Sequence, residues 1–424
     1  MTTAVRMSLS PTPTPAPVSP PSARWPRVIW ALLIGTFIAR AAGFAFPFLS
    51  YRLAELGYST QLTGGTIATF GLGWLVGQLA CGWLSDLLGR RTALIATMVC
   101  AAAALPFLAV AESTAAVIAA SFVVGVVYDA HRPIVSATIQ DQIPTEAGRA
   151  LVSGWRHFAV NVGAAVTGAA GGMLAADTGI GFLFSLNAVA CAVFALIAAV
   201  FMRTEKARAG RRPAPAVSSS YRQALRDIRL WLVCLASLCA LTACAGMFTV
   251  LPMLMAVDGL DAAAYGWTQV AAATGVVIVT PVLMPVLSRR AAGPQPMVGL
   301  FALSSLILGV GMSAAGFAST TVGYSLAAAA AVTGEVLLFS TASDLINRIS
   351  PDEARGLYAG VWGTQLALAV ITAPLLASWA IETGGDLLAA ATVLTAGLLG
   401  AALCLPLRAL LHPASAPAPA SVTS

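Results

Sequence analysis

Apolar stretches of about 20 residues, the length needed to cross the hydrocarbon core of a bilayer as a helix, recur along the chain from Val28 to Leu410. The pattern predicts twelve helical spans, over residues 28–50, 60–81, 92–111, 114–138, 150–175, 179–202, 230–256, 265–287, 297–317, 320–343, 357–381 and 387–410. Several connections are short, as antiparallel neighbours in a bundle require. The expected fold class is all-α: a polytopic membrane protein embedded in the lipid bilayer.

Composition agrees with the pattern. The chain is 58% hydrophobic and 9% charged, against roughly 25% charged in soluble chains. Its seven cysteines fall inside or at the edges of apolar runs and read as small buried hydrophobes. Cys234, Cys239 and Cys244 step by five with no His or carboxylate nearby, a spacing that suits neither zinc nor a disulfide. No metal and no cofactor are implied.

Residues 1–27 and 412–424 are rich in proline and read as disordered tails. Residues 203–229 form a longer basic stretch at the chain midpoint. They divide the spans into a six-helix bundle over 28–202 and a second over 230–411. Its basic runs either rest on anionic lipid heads or are simply a solvated linker.

Charge supplies orientation, because Lys and Arg collect in cytoplasmic loops. With the N-terminus inside, the cytoplasmic segments hold 19 of the 23 basic residues and the external loops keep Arg52 alone. The external loops carry Glu55, Glu112, Asp177, Asp258, Asp261, Glu382 and Asp386 instead. Both termini are therefore expected in the cytoplasm, with the protein in the inner membrane.

The halves repeat. "DQIPTEAGRALVSG" (Asp141 to Gly154) aligns without gaps with "NRISPDEARGLYAG" (Asn347 to Gly360) at an offset of 206. Pro47 matches Pro252 at 205, and Gly57 and Gly64 match Gly259 and Gly266 at 202. Two such halves can enclose a site near mid-bilayer whose exposure alternates as they rock.

Between spans two and three lies "GWLSDLLGRR". Together with twelve spans arranged as six plus six, this loop resembles the signature of the major facilitator superfamily, Gly-x-x-x-Asp-(Arg/Lys)-x-Gly-Arg-(Arg/Lys). Gly82, Asp86, Gly89, Arg90 and Arg91 meet it, and Leu87 departs from it. The equivalent loop after span eight keeps Arg289 and Arg290 but has no Asp. The resemblance implies a conformational latch, made in the outward-open state and released in the inward-open one. Asp86 would accept hydrogen bonds from a helix N-terminus or from arginines, and the glycines would let helices turn and approach closely. Otherwise Arg90 and Arg91 only anchor topology.

Span five carries Gly154, Gly163, Gly168, Gly171 and Gly172. The spacing resembles that of export-type members of the family, although their Gly-Pro pair is Thr167-Gly168 here. Small residues at this spacing suit close helix packing in any case.

Charges inside the membrane are the sharpest functional signal, since each costs roughly 2.5–3.5 kcal/mol on insertion scales. Arg40 lies near the middle of span one and Glu335 near the middle of span ten. By resemblance, spans one, four, seven and ten line the central cavity. Span four adds Asp129, His131 and Arg132, and span five places Arg156 and His157 at similar depth. Asp129 can pair with Arg132 or Arg156, leaving one arginine free. The family's Arg-x-x-x-Gly of span four is absent, with Ser121 in its place. A carboxylate in an apolar cavity can exchange a proton near neutral pH, a role that suits Glu335 first and Asp129 second. Arg40 suits an anionic substrate. A buried structural network is the alternative for all five, and His131 and His157 read as packing residues.

The chain reads as a secondary transporter of a small molecule coupled to a proton, working by alternating access. Proton-coupled export of drug-like or amphipathic compounds leads, as in the drug/proton antiporters that the glycine pattern resembles. An uptake or exchange carrier for a small anionic metabolite is the alternative. An ATP-driven pump is excluded, since Lys206, the only lysine, lies in no phosphate-binding loop. No nucleophile–base set or metal cluster marks an enzyme. The net charge of +6 follows the loops rather than a nucleic-acid surface. A monomer is the family expectation.

Overall fold

A computed structural model describes residues 25–203, 217–351 and 354–411. Residues 1–24 and 412–424 of the expected tails, residues 204–216 of the linker, and the side chain of Asp86 lie outside the described parts, while Arg27 already opens the first helix. All regular structure among the described residues is helical. Ten helices are long and apolar enough to cross a bilayer. One of them, Arg355–Leu411, contains two passes joined at the non-helical Gly385. The segment from Arg27 to Glu55 supplies one further, broken pass, which gives twelve.

The packing repeats with the sequence. In the first half, span one packs on five and six, two on four, and three on six. In the second, seven packs on eleven and twelve, eight on ten, and nine on twelve. Adding six to each number converts the first set into the second, which is the pseudo-symmetry expected of an internal repeat. Across the interface, two meets eleven and five meets eight, a pair exchanged by the same rule.

Three spans expected to be continuous are broken. Span one stops at Ala41 and resumes at Leu49. Span four stops at Val127 and resumes at His131, with Asp129 at φ 53°. Span seven stops at Ala245 and resumes at Val250. In each case a proline (Pro47, Pro133 or Pro252) lies four residues beyond a position in the break. Proline cannot donate to the carbonyl four residues back and its ring clashes there. Proline alone is insufficient, because Pro281, Pro285 and Pro374 sit inside unbroken helices. The broken spans also have side-chain partners for the released backbone, as broken membrane helices require. Asn187 Oδ1 accepts the Ala45 amide at 3.3 Å, Gln78 donates to the Asp129 carbonyl at 3.1 Å, and Gln269 donates to the Met247 carbonyl at 3.2 Å.

The halves touch on the side away from the linker. There the Gln61 amide donates to Glu382 at 2.7 Å, and Gly64 abuts Pro374 and Ser378. On the linker side the same spans diverge: a Cβ added at Gly82, Gly154, Gly360 or Gly363 would meet nothing within 4 Å. A cleft between the halves therefore opens toward the linker.

Candidate functional site

Arg40 ends the first segment of span one, because the chain leaves the helix immediately after it. The Arg40 carbonyl accepts the Gly43 amide at 3.1 Å and also a hydrogen bond from the Thr167 hydroxyl of span five. The guanidinium Nη1 donates to Tyr128 Oη at 3.1 Å, and Cζ stands 5.8 Å from the centre of the Phe248 ring in the break of span seven, within cation–π range. Arg40 thus touches both halves. Its Nε is buried with no partner, and among the described residues no carboxylate lies within ion-pairing distance.

Tyr128 is fixed by aromatic neighbours. Its ring packs edge-on against Phe70 and Trp74, and Phe46 bridges this group to Phe248 at 6.0 Å between centroids. The cluster joins the halves beside Arg40. Phe248, Thr167 and Gln78 were invisible as site residues in the sequence, where each is one polar or aromatic residue in a largely apolar run, and Tyr128 was passed over beside the charged Asp129, His131 and Arg132.

Asp129, Arg132 and Arg156 line one cleft with Arg40, together with Thr36, His131, Val135, His157 and Val160. Asp129 pairs with Arg132, Oδ2 to Nε 3.5 Å. Arg156 donates to Ser136 Oγ at 2.6 Å and forms no ion pair, so it is the arginine left without an acid. His131 is buried and meets the Phe194 ring edge-on at 5.5 Å, as a packing residue does. It also presents an unpartnered buried Nδ1 and lines the cleft. His157 corrects its reading as a packing residue: it is exposed on the cleft wall, because span five separates from the second half at this level.

Glu335 lies on the unbroken helix Thr321–Ile349 of the opposite half. It is half-buried, and among the described residues it makes neither a hydrogen bond nor an ion pair.

The span-five glycines divide by face. Gly163 and Gly171 abut Arg40 and Phe48 of span one, whereas Gly168 and Gly172 abut Gln269 and Ala263 of span eight in the other half. Gly154, beyond the point of divergence, abuts nothing.

At the loop between spans two and three, Gly89 takes φ 82° and joins two helices end to end. Arg90 pairs with Asp141 at 3.2 Å and donates to Ser85 at 2.9 Å. Arg91 donates to the Ala199 carbonyl at 2.8 Å. These partners all belong to the first half. Gly82 makes no close helix approach, contrary to expectation, because the halves are apart on this side. In the second half a different device serves the equivalent loop: Arg348 donates to the carbonyls of Ala291, Gly293 and Pro294 while pairing with Asp344 at 2.8 Å.

Among the described residues no group of His, Cys, Asp and Glu comes together that could hold a metal ion, and the cysteines are free.

Comparison with known proteins follows this geometry. Residues 32–374 match the family model for the Major Facilitator Superfamily. Among curated proteins no sequence match reaches significance. Solved structures match over most of their length. A peptide transporter POT in complex with sulfate is 15% identical, with TM-score 0.74 over 91% of this chain and 94% of that one. The POT family transporter PepTSo is 15% identical, with TM-score 0.71 over 91% and 99%. A mutant of the nucleoside transporter NupG is 12% identical, with TM-score 0.68 over 91% and 100%. At these identities the likeness is one of fold.

Proposed function

The chain belongs to the major facilitator superfamily and is a membrane transporter rather than an enzyme, and we propose that it is a proton-coupled secondary carrier of small organic anions working by alternating access. One arrangement supports this reading: Arg40, with no carboxylate within ion-pairing distance among the described residues, lines a cleft with Asp129, Arg132 and Arg156, while Glu335 of the opposite half makes neither a hydrogen bond nor an ion pair among the described residues. A charge left unpaired in a closing, dewetting cleft is costly. An anionic substrate on Arg40 supplies the missing partner. Glu335 then loses the cation that favoured its ionised form and takes up a proton. Substrate and proton cross together when the linker side closes and the far side opens.

The peptide and nucleoside transporters of like fold support a carrier of small polar substrates. The side supporting Gly89 and the linker is the cytoplasmic one in this reading, so the cleft is inward-open and the Arg90–Asp141 contact is the released form of the latch. The chain acts as a monomer in the inner membrane. Export of drug-like amphipathic compounds is the second reading, favoured by the glycine register Gly154, Gly163, Gly168, Gly171 and Gly172. Three arginines on one cleft wall make it a poor site for the cationic members of that class.

The test is flux in proteoliposomes under an imposed proton gradient, with small carboxylates and cationic dyes as candidate cargo. Accumulation of a carboxylate that a protonophore abolishes is the expected result. Gradient-driven movement of dyes with no carboxylate flux would overturn the reading and leave the export alternative.

A further inference from the structure

With Glu335 protonated, the three arginines and one aspartate of the cleft hold more positive charge than one anionic group can balance. Asp129 serves Arg132, which leaves Arg40 bonded only to a phenol and Arg156 only to a serine hydroxyl. With Glu335 protonated, as the carrier reading has it once Arg40 is occupied, a substrate with a single charge would leave one guanidinium stranded when the cleft closes, and an unpaired buried charge is strongly unfavourable.

Spacing points the same way. The Cβ atom of Arg40 abuts Gly163 of span five, and Arg156 lies seven residues earlier on the same unbroken helix, Glu146–Thr178. Seven residues of helix rise about 10 Å, a gap that two long arginine side chains and a short organic spacer can close. Ser136 holds the Arg156 guanidinium at 2.6 Å, aiming it along the cleft wall. The buried, unpartnered Arg40 Nε and His131 Nδ1 add polar capacity between the two levels.

We infer that the substrate carries two anionic groups, the first held by Arg40 and the second by Arg156, with Ser136 as the positioning residue for Arg156. This rests on the anion-carrier reading above and narrows it to short dicarboxylates or compounds of like charge. With both arginines satisfied by the substrate, Glu335 has no cation to face and travels protonated.

The experiment measures binding to the purified full chain in nanodiscs, using succinate and glutarate against their half-amides, succinamate and glutaramate. Replacing one carboxylate by an amide removes a charge while keeping shape. The better dicarboxylate is expected to bind about tenfold tighter than its half-amide, the worth of one charge-assisted hydrogen-bonded contact. In Arg156→Gln the ratio should collapse toward one, and Arg156→Lys should restore part of it. Should Arg156→Gln fail to fold, Ser136→Ala frees the guanidinium without removing it and should lower the same ratio. Half-amides binding as tightly as the diacids, or a ratio unmoved by these variants, would overturn the inference while leaving the carrier reading intact. Binding of a lipophilic cation such as tetraphenylphosphonium with no binding of either acid would overturn both.

Discussion

The cleft wall formed by spans one, four and five carries three arginines, one aspartate and two histidines, with spans one and four broken at 42–48 and 128–130 and span five continuous. Span ten of the opposite half carries Glu335 on a helix running unbroken from Thr321 to Ile349. The arginine wall is scaffolded: Tyr128, Ser136 and Asp129 each hold a guanidinium, and the breaks are tied down by Asn187, Thr167 and Gln78. Glu335 has no such scaffold. The contrast suits a division of labour. Under the proposed function, fixed cations select the cargo, and an acid without hydrogen bonds responds to water and to the substrate charge. A hydrogen-bonded carboxylate would be biased toward one protonation state and would couple less faithfully.

Glu335→Gln breaks the comparison most completely, because glutamine keeps size and polarity but cannot ionise. Accumulation driven by a proton gradient should be lost, while exchange of labelled for unlabelled substrate persists, as read by counterflow in proteoliposomes. Arg40→Gln attacks the other wall. Loss of a charge-assisted contact of about 1.5–3 kcal/mol should weaken substrate binding by about 10- to 100-fold, measured as Kd, with Arg40→Lys intermediate.

Asp129 sharpens the comparison, since it is both a charge and a backbone hinge. Its φ of 53° lies in the left-handed region, which Asn tolerates and Ala resists. Asp129→Asn should fold normally and alter mainly substrate affinity through the freed Arg132. Asp129→Ala should in addition lower stability by about 1–3 kcal/mol, and thermal unfolding of the two side by side separates charge from backbone. The smallest effect belongs to Tyr128→Phe, which removes one hydrogen bond to Arg40 and leaves the ring packing. A loss of about 0.5–1.5 kcal/mol corresponds to a change of roughly two- to tenfold in Kd.

Much of this was legible in the sequence, for physical reasons. Hydropathy reports which segments can leave water, so the twelve passes and their repeat were readable. The cost of an intramembrane charge marked Arg40, Asp129, Arg132, Arg156 and Glu335, and the first four line one cleft while the fifth lies on span ten of the other half. What hydropathy averages away is backbone connectivity. Pro47, Pro133 and Pro252 each lie in apolar surroundings, and their breaks depend on distant partners such as Asn187 and Gln269, whose contacts exist only after packing. A lone Asn or Gln in an apolar run was the available signal, because such a group needs a partner inside a bilayer. Asp141, the partner of Arg90, was read only as part of the repeat. His157 was misread because its exposure depends on how far the halves separate at that level.

The central claim, that Glu335 takes a proton because the substrate occupies Arg40, is tested most directly by proton uptake. A pH-sensitive dye reports it from weakly buffered, purified protein on addition of a saturating dicarboxylate. Wild type should take up close to one proton per chain near neutral pH, and Glu335→Gln should bind the same substrate with no uptake. Equal proton uptake in Glu335→Gln, or substrate binding by wild type with none, would contradict the account.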